Sequence, residues 1–278
     1  MSVGIVLSGE ELRRLQLIQT ELMFQVDVLC RKNNISYVIA CGSLLGAVRH
    51  KGFIPWDDDG DIFMLREEYE KFRRVATELD PQICWFQDHS TDPDYIWGYG
   101  KVRKTGTTYV RAGDEQLKAK TGVYIDIFPM DDIPNGRFAQ ALDVSRCWIQ
   151  RNILYAGVGK YNSTGVRKII FELMAIIPTK WVFHSLQKRT AKCRNDTPYD
   201  VRLLMFNLMN NQKNRLIPTG YGMKKKWLLE RAEYEFEGYK FYGPKDYDAV
   251  LKYLYGDYMQ LPPVEKRVAT AQPSSYQF

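Results

Sequence analysis

Cysteine and histidine are scarce in this chain, with five of the first and three of the second in 278 residues. Cys30, Cys41, Cys84, Cys147 and Cys193 are an odd set with no two closer than 11 positions, so neither a CxxC pair nor a local Cys/His cluster can be assembled. That spacing argues against a zinc knuckle or a disulfide framework and predicts reduced, mostly buried thiols. Long apolar runs are missing too. No stretch approaches the ~20 apolar residues of a membrane span, and the opening MSVGIVLSGEELRRL lacks the apolar segment that follows the basic start of a secretory signal. The expectation is a soluble globular protein made and kept in the cytosol. No Gly-X-Y period and no internal repeat is present, which argues against collagen, solenoids and propellers.

What is present suits a packed core. Apolar residues make up 45% and aromatics 13%, too many for a disordered chain, and the length suits one large domain or one domain with a helical appendix. Ser8 and Glu11 form a capping-box pair, and Leu15, Ile18, Leu22, Val26 and Leu29 recur at helical spacing, predicting a helix over 8–33. Short β-rich runs follow at 35–41, 61–65, 83–87, 95–103 and 123–128, with an amphipathic helix over 67–79. Beyond Gly136 the pattern turns helical, with a candidate hairpin at 233–243 and a last helix over 244–255. The predicted organisation is an α/β (α+β) front half, residues 1–134, and a helix-rich region, 135–278, packed on it without a flexible linker.

Charge is unevenly spread. The chain carries a net +6, yet residues 160–194 alone hold eight Lys/Arg against Glu172. Those basic residues flank IIFELMAII (169–177), with Trp181 and Phe183 close by. Such a segment fits an anionic membrane surface or a polyanionic substrate, and equally a core helix with solvated ends. No nucleic-acid-binding module is apparent, so the positive charge is not read as a nucleic-acid partner.

The richest stretch is CGSLLGAVRHKGFIPWDDDGDIF, residues 41–63. A strand runs into Gly42-Ser43, where a missing Cβ lets backbone N–H groups approach a phosphate, and the following helix points its N-terminus at the same place. Asp59 and Asp61 flank Gly60 at the start of the next strand, where alternate residues share a face. Two converging carboxylates repel unless a hard divalent cation lies between them. Asp126 in VYIDIFP sits between Ile125 and Ile127, so a third carboxylate faces away from an apolar side. An EF-hand is excluded: with Gly60 at its sixth position, the twelfth would be Arg66. Asp57 and Asp58, after Trp56, read as carboxylates of the same loop or as a solvated turn. Arg49, His50, Lys101 and Arg103 are candidate phosphate contacts, Lys101 and Arg103 alternating on one strand. Phe53 and Trp56 are candidates for stacking on a base or an ammonium group, or for packing.

The order of these parts — Gly-Ser opening a helix, two acids around one residue on the next strand, one acid on a later strand — resembles the nucleotidyltransferase superfamily. Within it, GSLLGAVRHKGFIPWDDDGDI is similar to the signature of the LicD family, which includes fukutin and the fukutin-related protein. YGKVRKTGTT (99–108), YIDIFPMDDIP (124–134) and YGDYMQLPPVEKR (255–267) resemble the same family. The resemblance implies a nucleotidyltransferase-like mixed sheet and transfer of phosphocholine from CDP-choline to a hydroxyl of a cell-surface glycan precursor (teichoic acid, lipopolysaccharide or capsule), with release of CMP. It assigns Asp59, Asp61 and Asp126 to Mg2+ or Mn2+ and to catalysis, and Gly42 and Ser43 to the donor phosphate; Arg49, His50, Asp58, Lys101 and Arg103 complete the expected substrate contacts by their place in the sequence. The acceptor is expected to be lipid-linked and met at the inner membrane face. Transfer of glycerol, ribitol or ethanolamine phosphate is a second implied chemistry. Gly60 stands where the family usually has Ile, predicting a weakened strand or a packing gap. It is also the one feature favouring a catalytically silent scaffold of surface-polymer assembly.

Overall fold

The computed structural model describes residues 4–193, 200–202 and 222–278. Arg194 of the basic segment lies outside the described residues. Helix α1 (Gly9–Lys32) opens on its capping box: Ser8 Oγ accepts from the Glu11 N–H and the Glu11 carboxylate accepts from the Ser8 N–H at 2.7 Å. There follow β1 (Val38–Ile39), α2 (Cys41–His50), β2 (Asp61–Leu65), α3 (Arg66–Val75), β3 (Cys84–Gln87), β4 (Gly100–Lys104), β5 (Thr108–Arg111) and β6 (Tyr124–Asp132). The rest comprises α4 (Arg137–Asn162), α5 (Gly165–Met174), α6 (Thr179–Cys193), β7 (Asp200–Arg202), β8 (Met223–Lys224), α7 (Lys226–Leu229), β9 (Arg231–Phe236), β10 (Tyr239–Pro244), α8 (Tyr247–Tyr255) and β11 (Pro273–Gln277).

The main sheet runs β1-β2-β6-β4-β3, with β7 on the far end of β6 and β8 beside β7. Only β2 and β6 pair in parallel; the remaining ladders of this sheet are antiparallel. Strand alternation sorts its residues. Ile62, Met64, Ile125, Ile127, Val102 and Phe86 face one way into the core, where Leu22, Met23 and Val26 of α1 and Tyr69 and Phe72 of α3 cover them. The other face carries Asp61, Asp126, Lys101 and Gln87 in one row, because Asp61 pairs Asp126, Asp126 pairs Lys101 and Lys101 pairs Gln87. That row positions the site.

Two expected strands are shorter than their sequences suggest. The run 35–41 keeps only Val38–Ile39, because Cys41 turns into α2 at φ +46°. The run 95–103 pairs only from Gly100, since Tyr95 closes a turn on Asp92 O. The pairing of β5 with β11 was not expected, as its partners lie some 160 positions apart and neither has strong alternation. The hairpin expected at 233–243 is β9–β10. A single hydrophobic cluster joins Leu22, Ile62 and Ile125 to Phe236, Phe241 and Leu251, so residues of both halves of the chain share one core.

Helices α4 and α6 are joined by a buried ion pair. The Arg189 guanidinium donates to both Asp143 oxygens at 2.8 and 2.7 Å, each side chain almost fully buried, beside Cys147, Leu154, Val182 and Phe183. Removing one partner strands a buried charge, at a cost of about 3–5 kcal/mol. Arg189→Met is therefore expected to lower the melting temperature by many degrees, and Arg189→Met with Asp143→Leu to recover most of it. Thermal melts of the two variants check this.

Candidate active site

The loop between α2 and β2 carries Asp57, Asp58 and Asp59, and it is braced from several sides. Gln16 Nε2 donates to the Asp57 carbonyl at 3.0 Å, and Gln19 Nε2 donates to the carbonyls of Asp58 (2.8 Å) and Tyr124 (3.1 Å). At the loop's start the Phe53 N–H donates to Glu237 Oε1, and Arg13 grips the same carboxylate. At its end the Thr270 and Ala271 N–H groups donate to the two oxygens of Asp58, at 3.0 and 2.8 Å. Asp58 is buried. Both of its oxygens accept from the C-terminal segment, so it tethers the loop, and its burial corrects the reading of a solvated turn.

Asp61 and Asp126 occupy matched register on the parallel pair β2–β6 and share its open face. Asp59 lies in the loop just before β2 rather than on the strand. It is close enough that burial, Asp58 and Asp126 push its carboxyl up to about 6. Burial, then Asp59 and Asp126, push the Asp61 carboxyl well above its ordinary range. Burial, then Asp59 and Asp58, do the same to Asp57. Carboxyl oxygens of Asp57, Asp58 and Asp59 lie within 4.8 Å of one another, and Asp57 Oδ2 is buried with no hydrogen-bond partner. Buried, crowded, all-oxygen groups of one sign, one of them orphaned, fit a hard divalent cation such as Mg2+ or Mn2+.

The α2 N-terminus meets this cluster in an unforeseen way. A Cβ on Gly42 would lie 2.3 Å from Asp57 Oδ2, so the glycine makes room for a carboxylate of the chain itself. Ser43 is buried, and its Oγ accepts from the Asp61 N–H at 2.9 Å, fixing the start of β2. Cys41 takes a left-handed φ of +46° beside the cluster. Burial, then Asp61, push its thiol well up, which leaves it a poor nucleophile.

Among the basic candidates, Lys101 Nζ lies 2.5 Å from Asp126 Oδ1 and 3.3 Å from the centroid of the Tyr124 ring. Burial lowers it to about 8, against the pull of Asp126. Arg103 follows on the same face, donating to Gln87 Oε1 and to the Gly122 carbonyl at 2.7 Å. Arg49 donates to the Tyr258 carbonyl at 2.8 Å and to His50 Nε2 at 3.0 Å. Burial, then Arg49, lower the His50 imidazole, so it is neutral at pH 7. Phe53 is buried edge-on against Phe236 at 4.9 Å, a packing role, whereas Trp56 has the Arg267 guanidinium 5.4 Å from its ring centroid.

The expected gap at Gly60 is absent. A Cβ there would lie 2.9 Å from Ile125 Cγ2 and 3.4 Å from Met23 Sδ, so neighbours already fill the space. The structural hint that favoured a silent scaffold is thereby removed. Sequence reasoning missed three residues. Arg111 reaches the field of Asp59 and Asp126 from β5. Tyr255, at the end of α8, feels Cys41, Asp61, Asp57 and Asp59. Arg267 stands near enough to Arg49 to depress its basicity, after burial. For Tyr255 and Arg267 the available signal was the tail block 255–267, in which no residue was singled out; Arg111 lies in none of the quoted blocks. Next to Asp126, a cavity of about 400 Å³ opens between β4, β5 and α4, lined by Trp97, Tyr99, Lys101, Arg111, Tyr124 and Tyr155 among others.

The raised acids carry a signed consequence. Asp59 moves from an ordinary 3.8 to about 6 on folding, so the folded state holds the extra proton between those values. Its contribution to stability is full below pH 3.8 and is lost as pH rises to about 6. In EDTA the melting temperature should fall across that window. Millimolar Mg2+ or Mn2+ should raise it at pH 7.5 and much less at pH 4.5, as thermal melts would show.

The sequence model of the family described as LicD/FKTN/FKRP, nucleotidyltransferase domain, matches residues 34–151. The chain is 29% identical to the lipopolysaccharide cholinephosphotransferase LicD of Haemophilus influenzae, an alignment covering 91% of this chain and 93% of that one. Over shorter stretches it is 46% identical to an uncharacterised protein of Rickettsia typhi (21% of this chain, 19% of the relative) and 43% identical to one of Rickettsia prowazekii (22% and 23%).

Proposed function

We propose, from the match of residues 34–151 to the LicD/FKTN/FKRP nucleotidyltransferase family, that the chain transfers phosphocholine from CDP-choline to a hydroxyl of a cell-surface glycan precursor, releasing CMP. The observation that carries this reading is the pairing of Asp61 with Asp126 at matched register, with Asp59 beside them and Lys101 next in the row.

Asp59, Asp61 and Asp126 would hold Mg2+ or Mn2+, with Asp57 as a further oxygen donor. When bound, the ion supplies neutralisation of charge on the donor pyrophosphate. The chain's own groups do the rest. Asp126, with one oxygen engaged by Lys101, offers the other to the ion or to the acceptor hydroxyl. Lys101, Arg103 and Arg111 supply fixed positive charge beside the acids, and burial strengthens what they contribute. Ser43 holds the Asp61 backbone, and the Asp58 tether holds the loop, so the acids need not reorganise when substrate arrives. Water is kept from the back of the row by the core packed behind the sheet.

Asp59→Ala combined with Asp61→Ala is expected to reduce CMP release from CDP-choline to background. Because it relieves buried like charges, it should leave the melting temperature unchanged or raised. Turnover persisting in that variant would remove the site assignment.

The acceptor is read as lipid-linked, met at the inner face of the membrane. Val166, Ile169, Ile170 and Leu173 stand at i, i+3, i+4, i+7 on α5 and are all exposed, as are Ile176 and Trp181. Phe171, by contrast, is buried near Gly159 of α4. The apolar stripe is thus the outer face, not a core face, and Arg167, Lys168, Lys180 and Lys188 flank it in sequence, with Glu172 the one acid. Among the described residues no single helix is long and apolar enough to cross a membrane. An outward apolar stripe ringed by Lys and Arg suits insertion into the headgroup region of an anionic bilayer. The full chain should float with phosphatidylglycerol-rich vesicles at low salt and not with neutral ones, and Ile169→Asp with Leu173→Asp should abolish flotation while leaving far-UV circular dichroism unchanged. Equal flotation of that variant would rule the stripe out as the contact.

A further inference from the structure

The cavity beside the acid row is used by none of the steps above, and its lining is chemically particular. Its inner end shares Lys101 and Tyr124 with the site, so it begins one side chain away from Asp126. Its outer wall is aromatic: Trp97 has ring centroids at 6.5 Å from Tyr99 and 6.3 Å from Tyr155. Among the described residues no lysine or arginine sits over Trp97 or Tyr155, whereas the Tyr124 ring is covered by Lys101 at 3.3 Å and by Arg103 at 5.1 Å, and Lys101 lies 5.3 Å from the Tyr99 ring. Asp114 and Glu115 join the same lining, as do Arg103, Lys120 and Arg151, so cations outnumber acids around the cavity and favour an anionic phosphate at one end. Burial pushes the Asp114 carboxyl up, against the pull of Arg111 and Lys101, a position that a cationic guest would ease.

These features discriminate among ligands. A nucleotide phosphate would be drawn by Lys101 and Arg111 and repelled by Asp114 and Glu115. A simple amine would meet the reverse. A zwitterion with its phosphate toward Lys101 and a quaternary ammonium among the rings satisfies both sets, since open aromatic faces backed by carboxylates are the usual recognition chemistry of such ammonium groups. The cavity volume of about 400 Å³ lies in the range of small-molecule sites. We propose that this cavity is the alcohol-selecting pocket of the enzyme: Trp97 and Tyr155, with Asp114, hold the trimethylammonium end of a phosphocholine group whose phosphate end faces Lys101. The assignment rests on the transferase reading for its place in the reaction, but its ligand chemistry is testable without turnover.

The test is calorimetry on the full chain with phosphocholine, glycerol phosphate and CMP as separate probes. Phosphocholine should bind at least tenfold more tightly than glycerol phosphate. Trp97→Ala and Tyr155→Ala should each weaken phosphocholine about tenfold, with Trp97→Phe restoring most of the loss and so separating ring chemistry from misfolding. Asp114→Asn should weaken phosphocholine severalfold without weakening glycerol phosphate. CMP affinity should stay within twofold throughout. If the ring variants weaken CMP as much as phosphocholine, the cavity holds the nucleoside and the proposal is wrong. It is equally overturned if wild type binds glycerol phosphate as tightly as phosphocholine, or if the ring variants change nothing. Were no CDP-alcohol turned over while the expected binding pattern held, the transferase reading would fall and the pocket would stand.

Discussion

Crowding of like charge is the constraint around which this molecule is built. Asp57, Asp59 and Asp61 are pushed upward by burial and by neighbouring acids, Asp58 and Asp126 among them, and Asp126 lies in the strand paired with β2. Left alone, such a loop would swing its acids into water and apart. It is prevented by neutral donors on its backbone, Gln16 and Gln19 from α1, and by the Thr270 and Ala271 N–H groups on Asp58. The fold thus opposes a repulsion it has itself created, one that the proposed cation would relieve. Electrostatic strain of this kind, fixed before the ligand arrives, is what makes charge neutralisation effective in transfer chemistry.

The motif acids divide by what surrounds them rather than by sequence. In YIDIFPMDD, Asp126 lies in the open row. Asp131 is fully buried and gripped by Arg66 at 2.9 and 2.8 Å, with Thr190 Oγ1 at 3.0 Å. Asp132 is paired with Lys225 at 2.8 Å. Within DDD, Asp58 anchors and Asp59 faces the site. One strand and one loop therefore carry both scaffold and candidate chemistry, and only the partners tell them apart.

Much of the row was legible because a strand has a strict period of two. Asp126 between two isoleucines, and Lys101 two residues before Arg103, declare their shared faces from sequence alone, and the core side of the sheet declares itself by its isoleucines and Val102. What stayed hidden depends on contacts across long separations. Arg111 belongs to the site only because β5 pairs with β11, and Tyr155 lines the cavity only because α4 lies over β4 and β5. The surroundings of Gly42 and Asp58 stayed hidden for the same reason: Asp57 lies in the space beside the glycine, and the loop acid is tied to residues far downstream. Gly60 was misread because packing is a property of neighbours, and Ile125 and Met23 fill the space that its own side chain lacks.

The tether on Asp58 also bears on how the protein is made. Its two partners are 212 and 213 positions downstream, so during synthesis the helix, the glycine and all the acids of residues 41–61 emerge long before the groups that fasten them. The nascent front half carries an unfastened acidic loop until the final strand arrives. Fastening of the acidic loop is consequently a late event, and a chain released short of residue 270 keeps its motif intact and its loop unfastened.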